Sequence, residues 1–254
     1  MQLSPTDYLL WGMGLFLLVL TGLVLLRRHL VREIPWFFGY VTFQLSRSAA
    51  LLTTYIRMSQ HRMSYADYFY LYWLTELGSI VLAFLVVYGI YRRIFSNYDA
   101  LKQLVSAVLA GAAVVLLVIA VVTGATASGA DPPGIVKAVL LLERGARLLQ
   151  CGLLAVLFLL ALYFGLPWQN RLFGIAFGFG LYSCLQLIAI TWRSLVGETV
   201  ANAYSQAQAA AYSIGVMIWF GYLVAPDPLP EHRGVLLHDD LEKWNRLLKE
   251  LIKQ

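Results

Sequence analysis

The stretch Tyr68-Phe-Tyr-Leu-Tyr-Trp-Leu-Thr-Glu-Leu-Gly-Ser-Ile-Val-Leu-Ala-Phe-Leu-Val-Val-Tyr-Gly-Ile-Tyr91 contains no proline and one charged residue, Glu76. As a helix rising 1.5 Å per residue it reaches about 36 Å, more than the ~30 Å of bilayer hydrocarbon. It therefore reads as a transmembrane helix with a carboxylate inside it. An ionised side chain near the bilayer centre costs roughly 2.5–3.5 kcal/mol on insertion scales, so such a group faces a partner or water.

Six further apolar runs of similar length follow the same logic, at Tyr8–Leu26, Trp36–Ile56, Leu104–Thr126, Ile135–Phe164, Leu172–Ser194 and Tyr204–Val224. Charged, Gly- or Pro-rich breaks separate them, such as Arg27-Arg28-His29 and Gly129-Ala-Asp-Pro-Pro-Gly134. Composition agrees with this reading. Of the 254 residues, 60% are hydrophobic and 13% charged, with a mean hydropathy of +0.70. A soluble domain is ~45–50% apolar and ~25% charged. The expected fold is all-α: a seven-transmembrane helix bundle over residues 1–226, followed by a cytoplasmic linker and amphipathic helix over 227–254. Residues Met1 to Asp7 lack the positive region of a secretory signal, so the first span reads as a retained helix.

Lysine and arginine counts at the span ends give the direction. One side collects Arg27, Arg28, Arg32, Arg92, Arg93, Lys102, Arg171, Arg233, Lys243, Arg246, Lys249 and Lys253. The other has Arg57, Arg62 and Arg193. Twelve against three predicts an external N-terminus and a cytoplasmic C-terminus, in a bacterial inner (plasma) membrane. The same scatter of basic residues argues against nucleic acid as a partner, despite the net charge of +5.

Direction converts sequence position into depth. Arg47, Glu76, Glu143, Arg144, Gln186 and Tyr212 all fall about 12–14 Å below the outer surface, and Arg147 at about 18 Å. Spacing of three, four and seven aligns Glu143, Arg147 and Gln150 on one helical stripe, and Gln44, Arg47 and Thr54 on another. Tyr72, Glu76 and Ser79 line up in the third span, as do Ser205, Gln208, Tyr212 and Trp219 in the seventh. Arg47, Glu76, Glu143, Arg144, Arg147, Gln150, Gln186, Gln208 and Tyr212 are therefore the candidate site. They predict either a structural ion-pair network or a polar cavity, open to the outside, that receives a small ligand. Three arginines against two glutamates lean toward an anionic or zwitterionic guest, since guanidinium grips carboxylate or phosphate in a fork.

Other chemistries lack their residues. His29, His61, His232 and His238 lie in loops, at span ends or in the tail, so neither a buried bis-histidine haem nor a His-rich zinc site is expected. The seventh span has no lysine to carry retinal, and Lys137 lies at the outer edge of the fifth. No phosphate loop, nucleophile elbow or paired catalytic carboxylates occur, so neither an enzyme nor a cofactor is expected. Cys151 and Cys184 lie within spans without metal-ligand spacing and read as buried apolar fillers.

Pro35-Trp36, Phe38-Gly39, Ser79-Ile80 and Tyr88 find counterparts in Pro167-Trp168, Phe173-Gly174, Ser213-Ile214 and Tyr222. With the fourth span as an inverting linker, this 3+1+3 plan resembles that of the sugar-transporting SWEET and PQ-loop families. The resemblance implies a transporter holding its solute between repeats. The PQ dipeptide of the latter family is missing here.

Ala203, Ala207, Ala211 and Gly215, with Gly174 and Gly178, predict close helix packing. In the tail, Asp239 and Glu242 form a capping pattern before an apolar face that includes Trp244 and Leu248. That helix is expected to rest on the lipid bilayer, or to dock a cytoplasmic partner or a second copy through Trp244 and Leu248. Three functions stay open: a receptor-like module, a small-solute transporter and a structural subunit of a membrane complex.

Overall fold

In a computed structural model of the chain, the described residues are 5–60, 65–94, 107–108, 110–111, 114–115, 118, 122, 132–163, 170–196 and 201–225. Their regular structure is entirely helical. Six α-helices are described: α1 (Pro5–Arg27), α2 (Pro35–Ser59), α3 (Tyr65–Ile94), α4 (Pro132–Tyr163), α5 (Asn170–Val196) and α6 (Ala201–Val224). They coincide with six of the expected spans to within three residues at each end, α4 being the run expected at Ile135–Phe164. The fourth expected span, Leu104–Thr126, lies mostly outside the described residues. Its described members, from Ala107 to Val122, are helical and exposed. The expected tail helix with Trp244 and Leu248 lies wholly outside them.

The helix ends follow from local chemistry. Proline opens α2 and α4, where its missing N–H has no helical acceptor to lose. Asp67 sits in the first turn of α3, while Arg92 and Arg93 sit in the last, each matched to the sign of the helix dipole. Between α1 and α2 the chain reverses through His29, at φ 55°, into a single 3₁₀ turn over Leu30–Arg32. Arg28 beside that turn donates to the carbonyls of Leu223 (3.0 Å) and Val224 (2.7 Å), the open acceptors at the end of α6. Thr21, Thr42, Thr54, Thr75 and Thr191 donate to carbonyls four residues back on their own helices.

Tyr70–Ile94, Arg171–Arg193 and Ala203–Val224 are long and apolar enough to cross a membrane, and α1 holds a shorter apolar stretch, Trp11–Arg27. Large apolar side chains are exposed on all six helices, including Phe16, Leu74, Leu159 and Ile188. Such a surface suits lipid rather than water. The chain is an integral membrane protein.

The helices close into a ring in chain order, α1 beside α2, α2 beside α3, and so on until α6 returns to α1. The tightest seam joins α5 to α6. A Cβ on Gly174 would overlap Tyr222, and one on Gly178 would overlap the Trp219 indole, so both positions require hydrogen in place of a side chain. Trp219 fills that gap and donates from Nε1 to the Ile175 carbonyl at 3.2 Å. Phe37, Tyr40 and Phe179 surround it, with ring centroids 5.4, 5.8 and 4.6 Å from its own. All four are buried; Phe37 and Tyr40 meet the indole edge-on and Phe179 at a tilt, and the edge contacts favour aromatic pairs beyond their area.

Candidate functional site

Above the aromatic cluster, three helices contribute a four-member ion network. Glu76 of α3 is its hub. Arg47 Nη2 from α2 lies 2.5 Å from Glu76 Oε2, and Arg147 Nη2 from α4 lies 3.1 Å from Oε1. The same Arg147 nitrogen stands 3.9 Å from Glu143 Oε1, one helical turn back. Arg147 has 2% of its side chain exposed, a burial sustainable only with compensating charge and acceptors. Further acceptors are Gln150 Oε1 at 3.4 Å and Tyr182 Oη at 3.5 Å.

Aromatic faces complete the shell. The Tyr182 ring lies 5.0 Å from the Arg147 guanidinium and the Tyr72 ring 5.4 Å from that of Arg47. Gln186 donates to Tyr182 Oη at 3.2 Å, one turn along α5. On the α2–α3 side, Gln44 donates to Ser79 Oγ at 2.6 Å and to Tyr40 Oη at 2.9 Å, joining the polar layer to the aromatic cluster below.

This layer lines a cavity of about 230 Å³ bounded by α1, α2, α3, α4, α5 and α6. Arg47, Glu76, Glu143, Gln186, Gln208 and Tyr212 all reach its wall. Arg147 and Gln150 do not: Arg147 pairs with Glu76, and Gln150 accepts from Arg147. Gln208 donates to Tyr204 Oη at 2.6 Å. Arg47 Nε, Gln186 Oε1, Tyr212 Oη and Ser213 Oγ, all on residues of the wall, are themselves buried and have no hydrogen-bond partner. Buried polar atoms are normally paired, so these four are exceptions in the packing around the cavity.

One expected member is not brought in. Arg144 is exposed on the outside of α4, because one residue along a helix turns the side chain by about 100° from Glu143. The expected surplus of one positive charge goes with it, leaving Arg47 and Arg147 against Glu76 and Glu143. The cysteines also differ from expectation. Cys184 is exposed and Cys151 half-buried, and their Sγ atoms meet at 3.4 Å between α4 and α5 as free thiols.

Tyr182, which links Arg147 to Gln186, was not among the residues singled out from sequence. Its position one turn before Gln186, on the same helical face, is the signal that would have found it. Among the described residues, no three His, Cys, Asp or Glu side chains converge to hold a metal ion.

No protein-family model, no curated protein and no solved structure matches this chain. The reading of the site therefore rests on its own geometry.

Proposed function

We propose that the chain is a seven-helix membrane protein, N-terminus outside and C-terminus cytoplasmic, acting as a receptor-like module that takes a small polar solute into the cavity between its helices. One observation carries this reading: a cavity of about 230 Å³ between the helices, lined by Arg47, Glu76, Glu143, Gln186 and Gln208. A network serving only to pin helices together would leave no such space, since interiors close-pack. The Phe37–Tyr40–Phe179–Trp219 cluster packs behind Gln44 and Tyr212 of the wall, which favours a site entered from the opposite face, and the Lys/Arg bias makes that face the outer one.

A second reading, a small-solute transporter of 3+1+3 plan, draws support from the paired motifs Pro35-Trp36 with Pro167-Trp168 and Ser79-Ile80 with Ser213-Ile214. A structural subunit is the third reading, and no single feature favours it.

Thiol accessibility tests the proposal. In a Cys151→Ala/Cys184→Ala background, Ser205→Cys and Ser48→Cys on the cavity wall are expected to react with an impermeant thiol reagent added outside sealed vesicles. Protection of both positions from that side would overturn the outward-facing cavity. Solute flux in proteoliposomes then separates transporter from receptor.

A further inference from the structure

We propose that the guest of this cavity is a small zwitterion, an ammonium and a carboxylate joined by a short linker. The inference rests on the reading of the cavity as a solute site and names the class of solute.

Charge balance comes first. Arg47, Arg147, Glu76 and Glu143 neutralise one another, so a guest with net charge would leave an uncompensated ion in a poorly solvated interior. A guest neutral overall avoids that cost.

A plain neutral solute would waste what the wall offers. Glu143 has its nearest cation at 3.9 Å, beyond hydrogen-bond reach, so its carboxylate keeps capacity for a closer donor. Glu143 lines the cavity and forms the acceptor end, suited to an ammonium. Arg47 lines the cavity and spends Nη2 on Glu76, so its guanidinium forms the donor end, suited to a carboxylate. Arg47 and Arg147 already stand over the Tyr72 and Tyr182 rings, so Trp11 and Tyr212 are the wall aromatics left to face a cationic group. The volume of about 230 Å³ holds about eight waters, which sets the guest at the size of a small amino acid or betaine.

The test uses the full chain in lipid nanodiscs and calorimetric titration with γ-aminobutyrate, proline and glycine betaine as zwitterions. Butyrate, propylammonium and glycerol serve as anion, cation and neutral controls. At least one zwitterion is expected to bind, with butyrate and propylammonium each weaker by about tenfold or more, the loss of one charge-assisted contact. Glu143→Gln should weaken the zwitterion while leaving butyrate unchanged or tighter.

Butyrate binding as tightly as any zwitterion, with Glu143→Gln without effect, would replace the zwitterion by an anion. Glycerol alone binding would replace it by a neutral polyol. Either result overturns this proposal and keeps the cavity as a solute site. Reactive Ser205→Cys without binding of any zwitterion also overturns it, leaving a water-filled vestibule. Unreactive Ser205→Cys and Ser48→Cys, with no probe bound, would remove the solute site itself.

Discussion

Arg147 and Glu76 are 71 residues apart in sequence and 3.1 Å apart in space, and Glu76 at the same time holds Arg47 at 2.5 Å. One carboxylate thus serves two guanidinium groups from two helices. Glu76→Gln strands Arg47 and leaves Arg147 with Glu143 alone, and we expect it to cost about 3–5 kcal/mol, the penalty typical of an uncompensated buried charge. Glu76→Gln with Arg47→Gln should cost less than Glu76→Gln alone, because Arg147 then keeps Glu143 and one stranded charge is gone. Thermal unfolding of the purified variants in one detergent orders them; a double variant less stable than the single would mean that Arg47 is held by other groups.

The α5–α6 seam offers a steric test. Gly178→Ala places a methyl group against the Trp219 indole and should destabilise by about 1–3 kcal/mol, as overpacking does. Adding Trp219→Leu should recover part of that loss in a double-mutant cycle. Strictly additive effects would show that the two side chains do not meet.

Arg28 holds the carbonyl end of α6 from α1. Arg28→Ala should raise amide hydrogen exchange over residues 221–225 and lower global stability by no more than about 1 kcal/mol, since the contact is solvent-exposed. Arg28→Lys should restore little, because an ammonium cannot span two carbonyls as a planar fork does. Equal exchange in all three proteins would show that the clamp contributes nothing.

The thiols of Cys151 and Cys184 need to approach by about 1.4 Å to reach disulfide length. Copper phenanthroline should therefore remove both free thiols of the monomer without producing a dimer. Thiol titration and non-reducing electrophoresis read the two outcomes, and a crosslinked dimer would place the sulfurs too far apart within one chain.

The twelve-to-three bias of basic residues predicts that a C-terminal reporter reads cytoplasmic, and that an epitope inserted between Gly129 and Gly134 reads external. An external tail would reverse the face from which the cavity is entered.

Much of the helix plan could be read from the chain because hydrophobic run length is a one-dimensional property. So could the common level of Arg47, Glu76, Glu143 and Arg147, since depth along a helix is position times rise. Azimuth was the weak part. Depth alone treats Glu143 and Arg144 as equals, although the structure buries one and exposes the other. Tyr182 was hidden by its type, since tyrosines in a membrane chain are first read as interfacial anchors. The meeting of Cys151 with Cys184 joins two helices through uncharged atoms and leaves no pattern in either helix alone. The unpartnered polar atoms of the wall residues are a result of three-dimensional packing, and no local spacing encodes them.

The placement of the four charges also bears on how the chain enters the membrane. Arg47 and Glu76 sit on the successive helices α2 and α3, and Glu143 and Arg147 sit one turn apart on α4. The buried charges of each portion are therefore matched within that portion, which lowers the cost of placing them in hydrocarbon. The Arg147–Glu76 contact joins these two matched pairs. A chain divided between Gly129 and Gly134 would thus yield two fragments, each able to settle in the bilayer by itself and each carrying half of the lock that joins them.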